Sequence, residues 1–244
     1  MTRNKKYRIS GRVSYLMYLA IILLFARCEP TEITPKDEGG YCFVSSFGGL
    51  GQLYKSSGNQ QLDQWHYGEY NNLAQKFGVM PDIYFYTDNS GANAYFTEQV
   101  SNNQYPDGTV AIGFNLINKE FANSPTNSGI SIAIIMAHEF GHCVDAKYKV
   151  YSSHSFRNEL FADYLAGCYL HLKSMAVGDQ YVGEVASSFY AIGDYSFNDP
   201  GHHGTPEQRR SCLMSGYNFS KSKVGIGYGL PEAINNAKNY VAQF

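Results

Sequence analysis

Residues Ser128–Lys147 read SGISIAIIMAHEFGHCVDAK. The apolar run through Ile130, Ile132, Ile134, Ile135 and Met136 predicts a long helix. It contains His138-Glu139-Phe140-Gly141-His142. Residues four apart on a helix are rotated by only about 40°. Both imidazoles therefore project from one face and can share one metal ion. Zinc prefers nitrogen ligands of this kind in a tetrahedral site that keeps one position for water. Glu139, adjacent to the first histidine, is placed to take a proton from that water.

A third ligand is expected downstream. The metzincin pattern needs Gly at 145 and His at 148, but the chain has Asp145 and Tyr148. Seventeen residues after His142 comes Glu159-Leu160-Phe161-Ala162-Asp163, on a second predicted helix over about 156–172. Glu159 and Asp163 are one turn apart and share a face. Glu159 can complete a His2Glu zinc site. Asp163 can accept a hydrogen bond from the far nitrogen of a liganding histidine, fixing the ring. An acidic pair of this spacing is usually a solvated helix face. Here it sits among Leu160, Phe161, Tyr164 and Leu165, where two acids are costly without a cation.

Around these helices the sequence predicts an α+β domain. DIYFYT (82–87), ANAYFT (92–97) and TVAIGFN (109–115) read as short strands separated by Gly, Asn and Pro turn signals. Helices are expected over about 61–77, 182–191, 206–214 and 231–242, with Pro206 and Pro231 at first-turn positions. Strands followed by helices imply a small antiparallel or mixed sheet packed on the two helices that carry the histidines and Glu159.

The 244 residues suit one domain plus a tail. Of 19 Lys and Arg, six (Arg3, Lys5, Lys6, Arg8, Arg12, Arg27) lie in residues 1–27, with no acid. From Cys28 onward 13 bases face 21 acids, a net charge of −8 that opposes nucleic-acid binding. The basic stretch ending at Arg12 precedes the 14-residue apolar run Val13–Ala26, short for a membrane span and suited to a signal peptide. Leu24-Phe25-Ala26-Arg27-Cys28 then resembles a bacterial lipoprotein signal, which would lipidate Cys28 and tie the protein to a membrane of the cell envelope. Arg27 and Phe25 depart from that pattern, and an uncleaved anchor or another exported form are the alternatives. The expected organisation is a signal peptide over 1–27, a flexible tether over 28–40 and one domain over 41–244.

The remaining features have plainer readings. His66, His154 and His171 are isolated and read as structural or solvated. Cys42, Cys143, Cys168 and Cys212 could pair in an exported chain or remain buried thiols. Cys168 lies half a turn round and ~13 Å along the helix from Glu159, which argues against a Cys143–Cys168 bond.

HEFGH followed by ELFAD resembles the signature of the gluzincin metallopeptidases. NDPGHHGTPEQRR (198–210) is similar to the HGT-x-x-QR block of the bacterial neutral zinc metallopeptidase family, and the strands before the first helix resemble those of HtpX-like and prenyl-endopeptidase-type zinc peptidases. The resemblance implies a zincin-like fold and a zinc metalloendopeptidase acting on peptides or proteins. It implies His138, His142 and Glu159 as ligands to one Zn2+, Glu139 as general base and Asp163 as the group orienting a ligand. It further implies His203, more than His202, as oxyanion donor and Arg209 as the residue holding the His203 loop. Substrate would add as an extra strand along Val110, Ala111, Ile112 and Gly113, on an edge strand over 109–114. The rival expectations are a non-catalytic envelope lipoprotein using the same fold for binding or assembly, and a protease held latent by its tether or a partner.

Overall fold

A computed structural model describes residues 52–89, 92–124, 129–152, 155–191, 193 and 203–244. The expected signal peptide, tether and lipidation residue Cys28, together with Cys42, His154 and His202, lie outside the described residues. The fold is α+β, with a four-stranded mixed sheet and seven α-helices among the described residues.

The strands are β1 (Leu53–Tyr54), β2 (Asp82–Tyr86), β3 (Ala94–Thr97) and β4 (Thr109–Gly113), in the order β1-β2-β4-β3. β2 and β4 run parallel, with Asp82 opposite Thr109 and Tyr86 opposite Gly113, while β3 is antiparallel to β4. The sheet's main apolar face, with Phe85, Ala94, Phe96, Val110 and Ile112, belongs to the principal core. Helix α1 (Gln60–Phe77) precedes β2, and the Asn59 side chain caps it by accepting from the amides of Gln61 and Leu62.

β4 overturns one expectation. It is hydrogen bonded on both sides, to β2 and β3, and Val110, Ala111 and Ile112 are wholly buried. It has no free edge, so Val110, Ala111, Ile112 and Gly113 cannot receive a substrate strand. Its uninterrupted apolar run is the mark of an inner strand with both faces covered. It also ends sooner than expected, because α2 (Phe114–Asn123) begins where the strand was read to continue. Asp88 sets that switch by accepting from the amides of Asn115 (2.7 Å) and Leu116 (3.0 Å) at the helix start. Gly113 makes room for it, since a Cβ there would lie 2.1 Å from Asp88 Oδ2.

α3 (Ile130–Tyr148) runs through the middle of the molecule and is buried from Ile130 to Asp145. That explains why its apolar run shows no polar face. α4 (Phe156–Val177) starts at a capping box made by Ser155 and Asn158. Asp145, near the end of α3, accepts from the Asn158 side chain and from the Tyr151 amide, fastening the start of α4 to α3. The two helices touch at Gly141, where a Cβ would lie 2.8 Å from Ala162 Cα.

A 3-10 turn (Asp179–Tyr181) leads to α5 (Val182–Ala191). α6 (Pro206–Ser222) opens with Pro206 and a capping box of Thr205 and Gln208, and α7 (Leu230–Val241) closes the fold. α4 and α6 pack backbone to backbone: a Cβ on Gly167 would meet Leu213 O at 1.9 Å, and one on Gly216 would meet Tyr164 O at 1.8 Å. No helix among the described residues is long and apolar enough to cross a membrane.

Candidate metal centre

α3 presents His138 and His142 from one face, and the Gly141–Ala162 contact brings that face against Glu159 of α4. The two Nε2 atoms are 3.1 Å apart. Glu159 Oε2 is 3.3 Å from His138 Nε2, and Oε1 is 3.4 Å from His142 Nε2. Ligands about 2.0–2.2 Å from a tetrahedral zinc stand about 3.3–3.6 Å from one another. The two nitrogens and the carboxylate are thus close to such separations, and the three groups can hold a metal ion.

The next layer fixes the protons. Asp163 Oδ1 lies 2.8 Å from His138 Nδ1. The Arg209 guanidinium grips Asp163 with both arms, Nε to Oδ2 at 2.9 Å and Nη2 to Oδ1 at 2.8 Å. Burial alone would raise the pKa of Asp163, but the Arg209 charge and the His138 contact outweigh it and hold it below its usual value. An ionised Asp163 only accepts, so Nδ1 of His138 carries the proton and Nε2 offers its lone pair to the metal position. Glu159 is likewise held well below the usual carboxylate range. Burial opposes this, but the His142 charge and hydrogen bonds from the His142 and His203 rings prevail. Three buried carboxyl groups (Glu139, Glu159, Asp163) face one buried guanidinium, an imbalance a divalent cation corrects.

His203 belongs to this site. Its Nδ1 is 3.3 Å from Glu159 Oε2 and its side chain is only 12% exposed. It does not cap α6, because Thr205 does that. Arg209 was expected to hold the His203 loop. Its guanidinium grips Asp163 with two hydrogen bonds, and Nη2 lies 3.8 Å from Glu159 Oε2.

Sequence reasoning missed Phe189. It stands edge-on to the His138 ring, with centroids 6.0 Å apart, and the Arg209 guanidinium lies 5.9 Å from its ring. It thus walls the metal position with an apolar surface from α5. The only signal was its place on the buried stripe Val185-Ala186-Phe189, which reads as ordinary core.

Among the described residues, His66, His171 and the thiols lie elsewhere. His171 Nδ1 is 2.9 Å from Ser220 Oγ, and the ring packs on Tyr217. Cys143, Cys168 and Cys212 are buried free thiols. Burial pushes the Cys168 thiol up to about 12, so it is protonated and inert.

Fold and site together define an α+β protein with a buried His138-His142-Glu159 group able to hold a metal ion. No family model, curated protein or solved structure matches the chain.

Proposed function

We propose that this protein is a zinc-dependent metalloendopeptidase of gluzincin type, exported and held at the cell envelope by a lipidated Cys28. The observation that carries the reading is the mutual spacing of 3.1–3.4 Å among His138 Nε2, His142 Nε2 and the Glu159 carboxylate, with a carboxylate behind His138. Two imidazoles and one carboxylate favour zinc among common divalent ions. When bound, zinc would polarise the scissile carbonyl and lower the pKa of its water.

The chain's own groups divide the remaining work. Glu139, buried beside His138, accepts the proton of the attacking water and passes it to the leaving amine. His203, on the side of Glu159, donates to the oxyanion that develops on the carbonyl. Asp163 keeps the proton of His138 on Nδ1, and Arg209 keeps Asp163 ionised and oriented. Phe189 excludes water from one flank. The placement at the envelope rests on the basic, apolar and cysteine-ended order of residues 3–28.

Casein digestion by the zinc-loaded protein tests the reading, with Glu139→Gln as control. Cleavage by the wild type that Glu139→Gln abolishes supports it. A zinc-loaded wild type with no hydrolytic activity on casein or on a peptide library overturns it in favour of a binding or assembly module.

A further inference from the structure

Where α3 ends, its last residue and the turn that follows face the start of α7 across a cavity of about 280 Å3. Its floor is apolar: Val150, Leu230 and Ile234 line it, each half-buried against the main core. Two lysines, Lys149 and Lys238, also line it, and no acid does. None of the residues of the metal centre contributes to it.

These lysines differ from the others among the described residues. Lys55 pairs with Asp82, Lys147 with Asp107, Lys173 with Glu69, Lys221 with Asp179 and Lys223 with Glu232. Lys76 sits over the Tyr228 ring, 3.9 Å from its centroid, and Lys119 feels the charge of its neighbour Glu120. Lys149 and Lys238 are the two that remain, exposed and with neither a carboxylate nor an aromatic ring as partner among the described residues. Both fall on one cavity.

The acids nearest in sequence are engaged elsewhere. Asp145 accepts from the Asn158 side chain and the Tyr151 amide, and Glu232 is 2.6 Å from Lys223. From Cys28 onward the chain carries 21 acids against 13 bases, so an acid-free cavity with two like charges runs against its composition. Like charges sharing one site repel, and an anion entering it relieves that repulsion.

The backbone adds to the positive field. α7 starts here with Gly229 as its N-cap, which provides no side-chain acceptor, so its positive end is left to the cavity. Lys149 adopts φ 50°, and among the described residues no other non-glycine has a positive φ. Glycine or asparagine would take that conformation at less cost. The strain brings a charged side chain, where a neutral one would be easier, to the rim of the cavity.

We propose that this cavity binds a small organic anion, with its carboxylate or phosphate head held by Lys149 and Lys238 and its apolar body laid on Val150, Leu230 and Ile234. A cation would meet two like charges, and a bare inorganic anion would leave the floor uncovered. The volume is at the small end for ligand sites, which limits the body to one ring or a short chain. The inference uses no residue of the metal centre and does not need the peptidase reading.

The test is calorimetry on the full, zinc-loaded chain with phenyl phosphate, hexanoate, inorganic phosphate and benzylamine. Saturable binding of phenyl phosphate or hexanoate is expected, tighter than that of inorganic phosphate and weaker at high salt. Which of the two binds better identifies the head group. Lys149→Asn and Lys238→Gln should each weaken binding by about tenfold. Both positions are exposed, so neither change should lower Tm. The proposal is overturned if neither organic anion binds, or if inorganic phosphate or benzylamine binds as tightly as both. It is also overturned if affinity is the same in the two variants, which would place the probes at the zinc.

Discussion

His138 Nδ1 stands 2.8 Å from Asp163 Oδ1, across the interface between α3 and α4. That one contact selects the tautomer of the first histidine and aims its other nitrogen at Glu159 and His142. The bidentate hold of Arg209 on Asp163 makes the chain of command one residue longer.

Asp163→Asn should therefore cost metal affinity even though it touches no ligand position. The expected loss is about 10–100-fold, measured by zinc titration against a chelator. Breaking the buried Asp163–Arg209 pair should also lower the stability of the apoprotein by about 3–5 kcal/mol in denaturant melts. Unchanged zinc affinity in this variant would remove Asp163 from the orienting role.

His203→Ala should lower kcat by about 10²–10³ with metal content preserved, the effect of deleting one oxyanion donor. His202→Ala should do much less. Single-turnover assays on zinc-loaded protein separate the two, and equal small effects would remove His203 from the oxyanion role.

Gly141→Ala should push α3 away from α4, because the new methyl would press on Ala162. A loss of about 1–3 kcal/mol is expected. Gly68→Ala is the contrast: the same change at an exposed position of helix α1, with no atom within 4 Å of the added Cβ, should stabilise by about 0.5–1 kcal/mol. Equal effects at the two positions would mean that helix propensity, and not the close approach, governs position 141.

His66 makes stability depend on pH in a defined window. Burial lowers its pKa from 6.5 in the unfolded chain to about 4 in the fold, against an opposing pull from Asp63. Between those values the unfolded state binds more protons, so stability rises with pH. The contribution is complete above pH 6.5, is lost as pH falls, and is gone below 4, a span of about 3 kcal/mol. Urea melts from pH 4 to 7 should show a shallower slope for His66→Phe than for wild type. Parallel slopes would mean that His66 is not buried in neutral form.

Much of the architecture was legible in local pattern. The helix over His138, the helix over Glu159 and the starts at Pro206 and β2 follow from periodicity and capping, and the structure has them. The coming together of His138, His142 and Glu159 was readable because the two histidines share a helix face and the acids that follow sit in an apolar stretch, where a cation is the natural partner. What escaped was decided at a distance. The strand-to-helix switch at Phe114 depends on Asp88, which sits in a different loop. The grip of Arg209 on Asp163 spans 46 residues. Phe189 looks like any core residue until His138 is beside it. The inner position of β4 did leave a trace, since Val110-Ala111-Ile112 has no polar alternation, and that trace argued against an edge.

The glycine-lined seam between α4 and α6 has a consequence for assembly. Gly167 and Gly216 lock two backbones into a single frame. That frame carries Glu159 and Asp163 on one helix, and Arg209 with the stem of His203 on the other. The imidazole pair arrives on a different member, α3, joined to the frame at Gly141 and Asp145. The centre is thus built from two halves: a pre-charged socket of oxygen ligand, clamp and counter-ion, and a plug bearing the nitrogens. The three-residue group is therefore complete only where α3 is packed on that frame.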